Sequence, residues 1–171
     1  MPIVLQEEDF CEALLPEVIG FYCGDNPWEL AIAQWIKAPR SRTGALKSMR
    51  KRGTQVWLFW HPDGRLVGYG SLGTTDWTWP PPEGPVRRVS IIPCLGIQTV
   101  FRRQPDGPKN ERFSHQIMEF LLSTALSLGV EDIVLQVEQE NVGALTLYRH
   151  FHFEAFPIQD GTRIKMHRPL R

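Results

Sequence analysis

The tightest constraint on the fold of this chain is the stretch Asn141-Val-Gly-Ala-Leu-Thr-Leu-Tyr-Arg-His-Phe-His-Phe153, which directly follows the apolar run Ile133-Val134-Leu135-Gln136-Val137. A short run rich in β-branched residues reads as a buried strand. Asn141 suits the N-cap of a helix, because its side-chain oxygen can accept a bond from one of the first free backbone N–H groups. Ala144, Leu147, Tyr148 and Phe151 then recur at helical spacing and mark the inward face. A strand feeding a helix in this way requires a sheet with a helix packed on it.

The flanking segments extend that frame. Ile3 to Leu5 reads as an edge strand, and Glu7 to Tyr22 as an amphipathic helix divided or kinked at Pro16. Asn26-Pro27 opens a second helix with Trp28, Ile32, Trp35 and Ile36 on one face, ended by Pro39. Ala45 to Arg52 adds a further turn or two, closed by Gly53. From Gln55 the period changes to two. Val56 to Trp60, the turn His61-Pro62-Asp63-Gly64 and Leu66 to Leu72 form a β-hairpin, with His61 as a turn residue. Thr74 to Pro85 carries Trp77, Trp79 and Pro80-Pro81-Pro82, which reads as a stiff loop. Val86 to Phe101 is a strand bent at Pro93. After a polar Pro/Gly loop, Glu111 to Leu128 is a helix with Gly129 at its C′ position. Phe153 to Phe156 and Arg163 to Met166 end the chain as two strands joined at Asp160-Gly161. The expected fold is α/β, a mixed central sheet with helices on both faces.

At 171 residues the chain is expected to form a single domain, 1–171, with an N-terminal helical part at 1–54 and a core at 55–171. No run approaches the roughly 18 apolar residues of a membrane span, and no export signal opens the chain, so a cytoplasmic location and no membrane partner are expected. Cys11, Cys23 and Cys94 lack Cys-x-x-Cys spacing, which points to free thiols and no metal site. The net charge is zero, yet Lys37, Arg40, Arg42, Lys47, Arg50, Lys51 and Arg52 fall in a stretch without Asp or Glu. That patch reads as a solvated helix face, with attraction to a phosphate-bearing cofactor or nucleic acid as the functional alternative.

Asn141, Ala144, Leu147, Tyr148 and Phe153 match, in register, the last motif of the Gcn5-related N-acetyltransferases, Asn-x-x-Ala-x-x-Leu-Tyr-x-x-x-Gly-Phe, and from about Gln55 onward the chain resembles that family. His152 stands where the family has Gly. The resemblance implies a GNAT-like acyl-CoA N-acyltransferase fold, in which the fourth and fifth strands splay and acetyl-CoA lies between them as co-substrate. The family's Leu-x-Val corresponds to Leu95-Gly96-Ile97, whose backbone amides would hold the pantetheine arm. The family's glycine-rich pyrophosphate loop corresponds to Lys109-Asn110-Glu111-Arg112-Phe113-Ser114, with Arg112 in place of the first Gly. Helix-start N–H groups, Lys109 and Arg112 still suit an anion there.

The resemblance further implies direct attack of an amine on the thioester in a ternary complex. Tyr148 would protonate the departing thiolate, and Asn141 would both cap its helix and bond the cofactor arm. The general base is not evident: the fourth strand lacks a carboxylate, leaving Glu138, Glu111 and Asp76 as candidates. Trp77, Trp79 and Glu138 are candidates for the acceptor site. The acceptor implied is a primary amine on a small molecule, with no metal, and a homodimer is left open. Two other readings stay open: a non-catalytic acyl-CoA-binding or interaction domain, and an acetyltransferase acting on aminoacyl-tRNA or protein amines through the basic patch at 37–52.

Overall fold

The computed structural model describes residues 3–37, 44–78, 83–102, 112–156 and 161–171. One mixed sheet organises them. Its strands are β1 (Gln6–Asp9), β2 (Gln55–Trp60), β3 (Leu66–Thr78), β4 (Val86–Ile92), β5 (Leu95–Ile97), β6 (Asp132–Glu138), β7 (Glu154–Ala155) and β8 (Arg163–Pro169). They lie in the order β1-β2-β3-β4-β6-β8-β7, with β5 off this path and paired to β3. Only β4 and β6 run parallel, and the crossover between them carries α4 (Phe113–Ser127). The other helices are α1 (Leu15–Val18), α2 (Pro27–Lys37), α3 (Ala45–Arg52) and α5 (Val142–His150).

Both faces of the sheet are covered because its central strands are apolar on both sides. In β2, Trp57 and Phe59 pack into the core that includes Ile117, Met118 and Leu121 of α4 and Leu145 and Tyr148 of α5. Val56 and Leu58 alternate with them and enter the opposite core, with Phe10, Phe21, Ile36 and Leu46. Gly53 and Gly129 close α3 and α4 at φ of 58° and 74°, the left-handed conformation in which a glycine suffers no Cβ clash. No helix among the described residues is long and apolar enough to cross a membrane.

Three segments differ from the sequence expectation. The edge strand is Gln6–Asp9, not Ile3 to Leu5, and it takes the first part of the segment read as a helix. Charged, fully exposed residues suit a sheet edge, and Leu5 N and Ile3 O are instead held by the Gln116 side-chain amide at 2.9 and 2.8 Å. The expected helix shrinks to a turn at Glu12–Leu14 and to α1, whose first turn contains Pro16. The 1–54 part is therefore not purely helical. Thr74 to Thr78 is strand rather than loop, paired with Val86 to Ser90, because Thr and Trp favour a pleated surface. Residues 79–82, which include Trp79, lie outside the described residues.

The bend at Pro93 is a register shift. β3 and β4 pair as Gly73 with Ile91, whereas Ser71 N donates to Cys94 O, so one extra residue has entered the outer strand. Pro93 has no N–H to lose, and the Ser71 hydroxyl accepts from Cys94 N at 2.9 Å. Beyond this bulge the chain continues along β3 as β5, and the β4–β6 pairing ends at Ile92 with Leu135. β6 runs on to Glu138 with only β8 beside it. β5, which continues β4, is thus splayed from β6, and this pair corresponds to the resembled family's fourth and fifth strands.

Candidate active site

The splay opens into a cleft of about 1330 Å³ that reaches from the start of α4, along β5 and the end of β6, to α2 and α3. What β5 offers this cleft follows from parity. Gln98 N donates to Val67 O, Gly96 is opposite Tyr69, and Cys94 O accepts from Ser71, so residues 94, 96 and 98 turn their backbone groups toward β3. In a strand the intervening residues turn theirs the other way. The N–H and C=O groups of Leu95 and Ile97 therefore face the splay, while the Ile97 side chain is buried in the core beside Leu95.

At the α4 end of the cleft, His115 N and Gln116 N both donate to Arg112 O, and the Phe113 and Ser114 N–H groups of the first turn have no acceptor among the described residues. Arg112 lines the cleft, and its Nε is buried without a partner among the described residues. Phe113 also lines the cleft, and its ring is buried against Phe101 and His61. Lys109 and Glu111 lie outside the described residues. Across the cleft His115 stands 4.5 Å from His150, ring centre to ring centre. Burial lowers the His115 pKa, with the nearby His150 and Arg112 charges adding to the effect.

Tyr148 lines the middle of the cleft on α5. Asn141 caps that helix, its side-chain oxygen accepting from Ala144 N at 3.2 Å, which leaves its amide N–H groups available. At the other end, His152 N donates to Arg149 O and Phe153 N to Tyr148 O, a Schellman closure. The Tyr148 and Phe153 rings, 5.8 Å apart, supply its hydrophobic contact. His152 carries φ of 63°, so it occupies the left-handed position at which the resembled motif has Gly. Tyr148 is only 8% exposed, and burial pushes its hydroxyl well above the ordinary phenol range. That hydroxyl has no hydrogen bond to another described residue.

The far end of the cleft is walled by Trp28, Ile32 and Trp35 of α2 and by Lys47 and Ser48 of α3. Two carboxylates here are already held. Glu29, 5% exposed, accepts from Arg102 at 2.9 Å and from Asn26. Glu138 accepts from Arg163 Nε at 2.9 Å and from Thr162 at 3.0 Å, and the Arg163 bond first, then the Thr162 bond, lower its pKa. Cys94 also borders the cleft, with its thiol pushed up to about 12 by burial. Trp77 is not among the lining residues; it lies on β3 with Lys165 Nζ 5.7 Å from its ring centre. Asp76 is likewise on the β3 surface, 4.0 Å from Arg88. Among the described residues the aromatic wall comes from α2, and its signal in the sequence was the i, i+7 spacing of Trp28 and Trp35.

No protein-family model and no curated protein matches the sequence. Solved structures do. A GNAT-family acetyltransferase from Staphylococcus aureus superposes with a TM-score of 0.66 at 14% identity, over 98% of this chain and 100% of that one. The chain has the GNAT fold. A bacterial toxin matches this GNAT-fold chain with a TM-score of 0.69 at 13% identity, covering 99% and 92% of the two chains. A Tyr-to-Phe variant of the toxin AtaT, bound to the C-terminus of the antitoxin AtaR, gives 0.62 at 17%, with 97% and 93% covered. In the GNAT-fold chain the expected splay, the α4 start and Tyr148 all border one cleft.

Proposed function

We propose that the protein is an acetyl-CoA-dependent N-acetyltransferase acting on a primary amine. The observation that supports it most directly is the parity of β5. The backbone groups of Leu95 and Ile97 face the cleft, where they match the hydrogen-bonding groups of an arm built of two amides. The Phe113 and Ser114 N–H groups and the buried Arg112 Nε fit a pyrophosphate, an anion at a helix start. The amide N–H groups of Asn141 are free to bond the same arm.

Acetyl-CoA supplies the activated acyl carbon. The amine nitrogen bonds to that carbon, the C–S bond breaks, and the departing thiolate takes its proton from the Tyr148 hydroxyl. The low dielectric that raises the phenol's pKa also raises that of a thiol formed beside it, so burial acts on donor and acceptor in the same direction. The nitrogen gives up its own proton to water and the Tyr148 phenolate takes one back from solvent, while Glu29 and Glu138 are each engaged by an arginine. A second reading is favoured by α3, whose Lys47 lines the cleft next to Arg50, Lys51 and Arg52 in sequence: the amine belongs to an aminoacyl-tRNA or a protein. The toxin–antitoxin structures that share the fold, one of them the KacTA–DNA complex, are consistent with such partners.

Two measurements test the first reading. Acetyl-CoA at a hundred times its Kd stabilises a binding protein by about 2.7 kcal/mol, which in a chain of this length raises Tm by roughly 5–10 °C. No shift at millimolar acetyl-CoA would instead support the non-catalytic alternative. Thiol release across a panel of amines then reports transfer. Acceptor KM that rises steeply with salt points to the second reading.

A further inference from the structure

The acceptor end of the cleft has its own chemistry, set by a fixed ring and by a lysine without a carboxylate partner among the described residues. Trp35 is half-buried, and its indole lies 10° from parallel with the Tyr69 ring at 5.7 Å. Tyr69 cannot shift easily. It is fully buried, meets Phe21 edge-on at 5.4 Å, and donates its hydroxyl proton to Ile32 O at 2.7 Å. Ile32 precedes Trp35 by one turn of α2, so the same helix that carries the indole also anchors the ring beneath it. One face of Trp35 is thus occupied, and what remains borders the cleft as a pre-ordered aromatic surface. A ligand ring stacking there orders no loose side chain.

The charges are as restrictive. Arg102 is paired with Glu29 and Arg163 with Glu138, so these four groups sum to zero. Lys47 lines this end with no carboxylate partner among the described residues, and α3 packs on α2 to bring it to the same cleft; the remaining lining carboxylate, Glu140, directly precedes the Asn141 cap of α5. One uncompensated cation matches a monoanion, such as a carboxylate, better than a phosphate dianion.

We propose that the acceptor is a primary amine carrying one aromatic ring and one carboxylate, the ring stacking on Trp35 and the carboxylate pairing with Lys47. The transferred group rests on the acetyltransferase reading; the recognition does not. Four amines separate the two contacts: phenylalanine, phenethylamine, cyclohexylalanine and 2-cyclohexylethylamine. Their Kd is measured by calorimetry in the presence of CoA, and kcat/KM by thiol release from acetyl-CoA.

Phenylalanine should bind best. Replacing its ring by cyclohexyl should weaken binding about three- to tenfold, the range of an aromatic pair. Removing the carboxylate should weaken it about two- to fivefold, and less so in 0.5 M salt. Trp35→Leu should abolish the ring preference and keep the carboxylate preference; Lys47→Ala should do the reverse. Trp35→Phe, which retains a ring, should keep part of the first preference and serves if the leucine variant does not fold. A ring preference that is absent, or that survives Trp35→Leu, overturns the inference, as does phenylalanine binding more weakly than phenethylamine. Failure of all four to bind overturns it too. Binding with both preferences but no thiol release would keep the recognition and sink the acetyltransferase reading. Turnover of the four amines without either preference would do the opposite.

Discussion

His152→Gly should stabilise the protein. His152 is the one non-glycine residue with positive φ among the described residues, at 63°, and its exposed side chain makes no bond that the substitution would break. An L-residue held in the left-handed region is strained by about 1–2 kcal/mol, and glycine is not. Against this, glycine gives the unfolded chain more freedom, which offsets about 0.5–1 kcal/mol. The net gain is about 0.5–1 kcal/mol, or roughly 1–4 °C in Tm for a chain of this length. Thermal and urea denaturation of His152→Gly and His152→Ala beside the parent protein give the answer. The alanine variant keeps its Cβ in the strained position and should gain nothing. A glycine variant that melts earlier, or an alanine variant stabilised as much as the glycine one, would refute the strain argument. Because the Schellman bonds to Tyr148 and Arg149 are unchanged, kcat should stay where it is.

Other perturbations test the cleft. Tyr148→Phe keeps the ring against Phe153 and should leave Tm and acetyl-CoA affinity nearly unchanged while kcat falls by about 10²–10⁴; an unchanged kcat with a lower Tm would make Tyr148 structural. Gly96→Ala would place a Cβ 2.7 Å from Ile32 Cγ2 and 3.0 Å from Tyr69 Cε1, so stability should drop by about 1–3 kcal/mol and acetyl-CoA should bind more weakly as β5 is pushed off α2; calorimetry and urea titration read both. The His115 pKa is lowered in the folded protein, so the unfolded chain binds the proton first, and stability present above about pH 6.5 is lost as pH falls through the folded value. His115→Gln should flatten that decline between pH 7 and 5, and a parallel decline in both proteins would locate it elsewhere.

Where one residue determines its own surroundings, the sequence was readable. Asn141 announced a cap, Gly53 and Gly129 announced helix ends, and the spacing of Leu147, Tyr148 and Phe151 announced an inward face. At His152 the sequence showed only a departure from the resembled motif, and the left-handed φ of 63° became visible in the fold. What stayed hidden depends on partners distant in sequence. Nothing local in Gln-Glu-Glu-Asp says strand; β2 recruits it at the sheet edge. The segment of Trp77 read as a loop because of the triple proline, and only the pairing with β4 showed it to be strand. Glu29 with Arg102 is a contact across 73 positions, and the role of α2 as cleft wall follows from how Gly96 lets that helix sit directly on β5.

The extra residue at Pro93 acts like a shift in reading frame. Which amides face the cleft is decided by odd or even position, so the same sequence paired without the bulge would exchange the two sets, turning Gly96 outward and pairing Leu95 and Ile97 with β3. A substitution at Leu95 or Ile97 that preserves the strand leaves this arrangement intact. The donor half of the site is thus specified by strand register rather than by side-chain identity. Such a site leaves little for a comparison of sequences to detect, and can persist between proteins that share 13 to 17% of their residues.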